Sequence, residues 1–256
     1  MKILCISSKP IKFVICIVLS FVLLVSMIAL TNSHSIYFGH AQRKVPIYSV
    51  ETKSRKIAIT FDAAWGGDKT SEIVKICKDK GIPATFFLVG FWTEKFPELV
   101  KLIDNAGFDI GTHSNTHPNM SGLSDSQMRN ELSTSMKLIT DITGKAVRFF
   151  RPPYGDYNDR LLSISSELHL QTIQWSVDSL DWKGLSASQL LSRITDGVHN
   201  GAIILCHNNS DHIVEALPQI IDALKARGYE FSKMSELVYD NNYTIDNNGM
   251  QKQNLK

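Results

Sequence analysis

The sequence predicts an α/β domain with a parallel sheet and helices packed outside it. Three observations carry this reading. Apolar, strand-like runs alternate with amphipathic, helix-like stretches from residue 56 to residue 239. Several of those stretches open on a capping pattern or close on glycine. At 256 residues the chain is long enough for one domain with a sizeable core. Periodicity alone leaves open whether the sheet is flat-edged or closed as a barrel.

Ahead of the domain, Lys2, Lys9 and Lys12 precede "FVICIVLSFVLLVSMIAL", residues 13–30, which carries no charge. The run is longer than the ~7–15 apolar residues of a signal peptide and is followed only by a poor cleavage pattern, so it reads as an uncleaved transmembrane anchor. The lysines keep residues 1–12 in the cytoplasm, which makes the protein a single-pass protein of the cell membrane with its domain extracytoplasmic. Residues 31–55 read as a juxtamembrane linker in which "VPIYSVE" forms a short strand.

Within residues 56–239, "KIAITF" is a strand and "KTSEIVKICKDKG" a helix closed by Gly81. "ATFFLV" is the next strand, and "WTEKFPELVKLIDNAG" a helix closed by Gly107. "FDIGT" precedes a helix opened by Ser124 and Gln127 at capping-box spacing. "VRFF", "LQTIQW" and "GAIILC" continue the strands, with helices near 158–168, 187–199 and 211–227, and "YEFSKM" is the last strand. The Asn-rich residues 240–256 read as a disordered tail.

Composition narrows the function classes. Lys and Arg number 27 against 25 Asp and Glu, giving a net charge of +2, and no basic stripe interleaved with aromatics occurs, so the chain has no nucleic-acid footprint. Cys5 and Cys16 lie before or in the anchor, while Cys77 and Cys206 sit in apolar surroundings. They read as reduced thiols rather than a disulfide framework.

In α/β layouts the chemistry lies beyond the carboxyl ends of the strands, and the polar residues obey this. Asp62 follows "IAITF", His113 and His117 follow "FDIGT", and Arg151 follows "VRFF". Asp178 and Asp181 come after "LQTIQW", and His207 after "AIILC". "HSNTH" spaces two imidazoles at i and i+4, which directs both onto one metal ion if the segment makes a helical turn. Each residue alone has a plain structural reading as a cap, turn former or satisfied core group. Their joint occurrence at strand ends points to catalysis.

Five motifs in this order, "TFDAAWG", "HSNTH", "RPPYG", "DSLDW" and "LCH", resemble the polysaccharide deacetylases of the NodB-homology type, carbohydrate esterase family 4, over residues 56–239. The resemblance implies a distorted (β/α) barrel that removes N-acetyl groups from a glycan such as peptidoglycan or chitin oligosaccharides. With the anchor, "FDAAWG" is most similar to the sporulation-associated branch. By the same resemblance Asp62 is the general base and Arg151 its charge partner, and His113 and His117 hold a divalent metal such as zinc or cobalt. Tyr154 offers its backbone N–H to the oxyanion, and His207 is the general acid oriented by Asp181. Trp182 and Leu205 wall the acetyl methyl group.

One position departs from the family. Its usual Thr-Phe-Asp-Asp supplies a second carboxylate to the metal, and here that residue is Ala63. A metal would be weakly held on two imidazoles; Asn115 or Asp68 would have to substitute, and nothing in the sequence places either there. Three readings follow: a deacetylase with a depleted site, a glycan-binding or scaffold protein on a deacetylase fold, and a hydrolase using Asp62 and His207 without metal.

Overall fold

The computed structural model describes residues 8–33 and 44–254. Two compact units divide it. In the first, helix α1 spans Ser8–Ser33, and its described apolar side chains, among them Phe13, Phe21 and Leu23, are exposed. Among the described residues no helix is long and apolar enough to cross a membrane. The longest run of described side chains in α1, residues 17–27, covers about half of a ~30 Å hydrocarbon core at ~1.5 Å per residue. The transmembrane span expected over 13–30 is therefore not shown, and residues 1–7 and 34–43 of the expected cytoplasmic and linker segments lie outside the described residues.

The second unit begins with β1 (Ser49–Val50), β2 (Lys56–Ala63), α2 (Thr70–Asp79) and β3 (Thr85–Leu88). The single helix expected next is two, α3 (Gly90–Lys95) and α4 (Pro97–Asn105), because Phe96, which precedes a proline, leaves the helical region at φ −130° and ψ 55°. There follow β4 (Asp109–Thr112), α5 (Asp125–Thr143), β5 (Phe149–Phe150), α6 (Asp159–Glu167), β6 (Gln171–Thr172) and β7 (Val177–Asp178). The chain continues through α7 (Ala187–Gly197), β8 (Ile203–His207), α8 (Ile213–Ala226), β9 (Glu230–Phe231), α9 (Met234–Leu237), β10 (Tyr243–Ile245) and β11 (Met250–Gln253). Both expected capping boxes form, Ser124 with Gln127 on α5 and Ser186 with Gln189 on α7.

The main sheet is parallel, in the order β6-β5-β4-β3-β2-β8-β7, with β9 added against β2. Its edges, β6 and β7, do not pair, so the barrel is incomplete. Alternation along β2 divides its side chains between two cores. Ile57, Ile59, Phe61 and Ala63 join the larger cluster with Val100, Leu132 and Leu217 of the outer helices, whereas Ala58 joins the smaller one with Phe87, Phe149 and Ile203. Cys77 and Cys206 are buried and free.

The open side is covered by segments that the sequence reading left outside the domain. Ile47 donates its N–H to Thr172 (2.9 Å) and accepts from Gln174 (2.7 Å), and Val50 donates to Gly201 (3.0 Å), so residues 47–50 lie across the gap beside β6 and β8. The tail is not disordered: β11 pairs in parallel with β1, and β10 pairs antiparallel with β11. Gln251 is fully buried, with its side-chain amide bonded to both backbone groups of Tyr239. Polar composition hid this, since the tail is held by backbone pairing with a strand some 200 residues earlier.

Gly201 has φ +73°, and a Cβ there would lie 1.7 Å from the Val50 carbonyl oxygen. Gly144, the C-cap of α5 at φ +69°, has open space around it. Gly144→Ala is expected to cost about 1 kcal/mol, from backbone strain alone, and Gly201→Ala about 3 kcal/mol or more. Calorimetry should show Tm falling by ~3 °C in the first and by ~10 °C in the second.

Candidate active site

Register brings the first two functional groups together. β2 lies between β3 and β8 with Asp62 opposite His207, so a carboxylate and an imidazole end adjacent strands at the same level. Asp62, His113, His117, Tyr154, Trp182, Leu205 and His207 all line one cleft of about 590 Å³. Arg151 and Asp181 do not line it. They are buried behind Asp62 and His207 respectively, where each holds the residue in front of it.

Arg151 directly follows β5 and is completely buried. Its Nη1 donates to Asp62 Oδ1 and to Thr60 Oγ1, each at 2.8 Å, and its Nη2 donates to the Gln174 carbonyl (3.1 Å). The guanidinium lies 4.1 Å from the centre of the Phe87 ring. Burial alone would push the Asp62 carboxyl up, but the charge and hydrogen bond of Arg151, with the charge of His207, outweigh it and hold it below the usual carboxylate range. Asp62 is thus ionised and aimed.

His207 is held from the other side. Asp181 Oδ1 accepts from its Nδ1 (2.7 Å) and Oδ2 from its backbone N–H (2.8 Å). This leaves Nε2 as the unengaged ring nitrogen of a cleft-lining imidazole. Burial pulls the His207 imidazole down, yet the hydrogen bond and charge of Asp181, aided by Asp62, reverse this and raise it above its ordinary value.

"HSNTH" does not make the helical turn that would bring its histidines together by i, i+4 spacing. Ser114 (φ 68°) and His117 (φ 59°) are left-handed, and the loop is held by the Ser114 hydroxyl accepting from the His117 N–H (3.0 Å). Glu131 of α5 completes the hold, accepting from the N–H groups of Asn115 and Thr116 (both 2.8 Å) and from the Thr116 hydroxyl (2.7 Å). Sequence reasoning missed Glu131. Its signal was a charge on the buried face of α5, among Met128, Leu132 and Ser135.

The imidazoles of His113 and His117 stand 4.9 Å apart, centre to centre. His113 Nδ1 lies 2.7 Å from the Arg151 carbonyl, which only accepts, so this nitrogen carries the proton and Nε2 keeps its lone pair, 3.5 Å from Asp62 Oδ2. His117 Nδ1 is buried without a hydrogen-bond partner. Burial lowers the His113 imidazole and takes that of His117 to about 4. Both rings are therefore neutral and suited to be ligands. The carboxylate is missing: Ala63 is fully buried among apolar side chains and does not line the cleft. Neither substitute takes its place, since the Asn115 amide lies against Gly90 and Asp68 is exposed. Among the described residues no group of three or more His, Cys, Asp or Glu gathers to hold a metal ion. The residues present do not fit a three-ligand metal centre, and no step below is routed through one.

Tyr154 sits in the turn Pro153–Gly155 with left-handed backbone, φ 59°, and its ring packs edge-on against His117 at 4.6 Å. The Gln174 side chain donates to the Gly155 carbonyl (3.0 Å), fixing that turn to the strand end behind Arg151. Trp182 and Leu205 line the cleft as expected. Trp65, Trp175 and Asn209 line it too and were not foreseen.

The raised His207 value carries a pH signature. A group whose folded value lies above its unfolded value of ~6.5 contributes stability that is complete below that pH and is lost as pH rises through the folded value. Urea unfolding of the wild type between pH 6 and pH 9 is expected to show this decline. Asp181→Asn should flatten it and lower stability at pH 6 by about 1.5–3 kcal/mol, the worth of a charge-assisted hydrogen bond.

The chain is similar to known proteins over most of the second unit. The family model described as polysaccharide deacetylase matches residues 49–173. The peptidoglycan-N-acetylglucosamine deacetylase of Bacillus cereus is 34% identical over 198 residues, covering 76% of this chain and 72% of that protein. The structure of BA3943 from Bacillus anthracis, described as a CE4 family pseudoenzyme, superposes with a TM-score of 0.73 at 36% identity, covering 75% of this chain and 68% of that one. A mutant of BA3943 described as having restored enzymatic activity superposes equally, with a TM-score of 0.73 at 37% identity, covering 75% and 71%. With 34% identity to the B. cereus protein over about three quarters of each chain, the chain belongs to the polysaccharide deacetylase family.

Proposed function

We propose that the protein is a hydrolase that removes N-acetyl groups from a cell-wall or spore-wall glycan of the peptidoglycan type. One observation carries the reading: a single cleft presents an ionised carboxylate, Asp62, and a histidine biased towards protonation, His207, from paired strands. In this mechanism Asp62 takes a proton from water as the water oxygen bonds to the acetamido carbonyl carbon. The negative charge that develops on the carbonyl oxygen is met by the Tyr154 backbone N–H. His207 Nε2–H then protonates the amine nitrogen as the C–N bond breaks, giving acetate and a free amino sugar. Arg151 and Asp181 act through Asp62 and His207, and Trp182 and Leu205 contact the acetyl methyl group. The B. cereus relative, named for peptidoglycan N-acetylglucosamine, supports the substrate class.

A second reading, a glycan-binding protein without turnover, is favoured by Ala63. A carboxylate held below its usual range is a weak base towards free water, and the absent carboxylate removes the means by which the family strengthens that water. The similarity to BA3943, described as a pseudoenzyme, supports this reading.

The location is proposed from the sequence. Three lysines ahead of an uncharged run support a domain lying outside the cytoplasm at the cell membrane, and "FDAAWG" supports the sporulation-associated branch. Protease added to intact protoplasts is expected to digest residues 56–239; protection would reverse the orientation.

The chemistry is tested by acetate release from N-acetylated peptidoglycan and from chitooligosaccharide, with and without added zinc or cobalt. Wild-type release is expected, falling about 10²–10⁴-fold in Asp62→Asn and in His207→Ala. Glycan binding without acetate release under any metal condition selects the second reading. Release gained by Ala63→Asp would then identify the lost carboxylate as the cause.

A further inference from the structure

Trp65 belongs to the "FDAAWG" stretch, and neither the fold nor the proposed mechanism gives it a task. Among the described residues of the second unit, the exposed large apolar side chains are Trp65 (56%), Tyr154 (65%) and Trp182 (62%). All three border the same cleft. Large apolar groups left in water at one place mark a surface that something covers.

Trp65 is not a loose loop side chain. The carbonyl of its neighbour Gly66 accepts from Trp92 Nε1 (2.6 Å) and from Asn208 Nδ2 (2.9 Å), so two side chains from different elements pin the backbone beside it. A Cβ on the next residue, Gly67, would lie 2.9 Å from Leu99, so the loop runs tight against α4. The indole meets His117 at a steep angle, with centroids 4.8 Å apart and planes at 67°, and it is tilted 50° from Phe91 at 6.4 Å. Among the described residues no ring stacks flat on it, and more than half of the residue stays accessible.

The occupant follows from charge and position. Among the described residues no lysine or arginine lines the cleft, and its carboxylates are Asp62 and Asp178. An anionic ligand is disfavoured, whereas the C–H face of an uncharged pyranose suits an indole. In the cleft His113 lies 3.5 Å from the Asp62 carboxylate, His117 packs against His113, and Trp65 packs against His117. A sugar whose acetamido group lies at Asp62 therefore leaves Trp65 to the neighbouring ring.

We propose that Trp65 is a glycan-stacking residue that holds an uncharged pyranose ring adjacent to the one placed at Asp62, so that the cleft selects oligosaccharides over single sugars. The inference rests on the glycan reading above and gives it a length dependence.

The test measures binding, so it does not depend on turnover. The N-acetylglucosamine tetramer is titrated into the full chain by calorimetry, and the methyl glycoside of N-acetylglucosamine by NMR, with wild type, Trp65→Ala and Trp65→Phe. Thermal midpoints confirm that the variants are folded. Trp65→Ala is expected to weaken tetramer binding about tenfold and Trp65→Phe by less than about threefold, with monomer binding changed less than about twofold. Unchanged tetramer affinity in Trp65→Ala, or equal losses for monomer and tetramer, overturns the inference and leaves the glycan reading standing. A wild type that binds neither sugar overturns the glycan reading and the inference with it.

Discussion

The buried Arg151–Asp62 pair is the constraint on which the site depends. Taking a guanidinium fully out of water costs several kcal/mol, and partners around the charge must offset that cost. Here a carboxylate and a hydroxyl from β2, the carbonyl of Gln174 and the face of Phe87 on β3 meet it. Four separated stretches of chain must hold one register for this to happen. The same register sets Asp62 opposite His207. The Arg151 carbonyl also fixes which nitrogen of His113 faces the carboxylate. Loss of either member leaves an uncompensated buried charge, which costs about 3–5 kcal/mol in comparable pairs. Stability and chemistry are therefore stored in the same contact.

That contact also limits the chemistry. The interactions that aim Asp62 reduce its appetite for a proton, and the residue next to it, Ala63, brings no charge to compensate. The opposite side of the cleft is under no such restraint, since Asp181 gives His207 both orientation and a bias towards the imidazolium. The site is thus better equipped to protonate a leaving group than to activate a nucleophile. This asymmetry separates the two readings of its function.

Much of this was legible in the chain because it is local. Strand ends, capping boxes and the order of the polar residues are written within short windows, whereas the break before Pro97, though equally local, went unread and one helix was expected there. The other features that escaped depend on partners distant in sequence. Glu131 clamps a loop 15 residues away, a role that only packing reveals. The geometry of "HSNTH" follows from that clamp and from two left-handed residues, and spacing alone suggested a helical turn. The tail looked unstructured because its side chains are polar, yet its order comes from backbone pairing, to which composition is blind.

That pairing bears on how the molecule is made. β1 binds β11, so the first strand of the domain finds its partner among its last residues, and Gln251, near the far end, is one of its most buried polar groups. A chain emerging from the ribosome exposes Ile47 and Val50 long before the strand that covers them exists. Contacts of such sequence separation form late and slowly. The catalytic rim belongs mainly to segments made earlier, whereas the seal over the open side of the barrel waits until β11 has been made. Between those moments lies a nascent form with an uncovered edge, which must be kept from pairing with its neighbours.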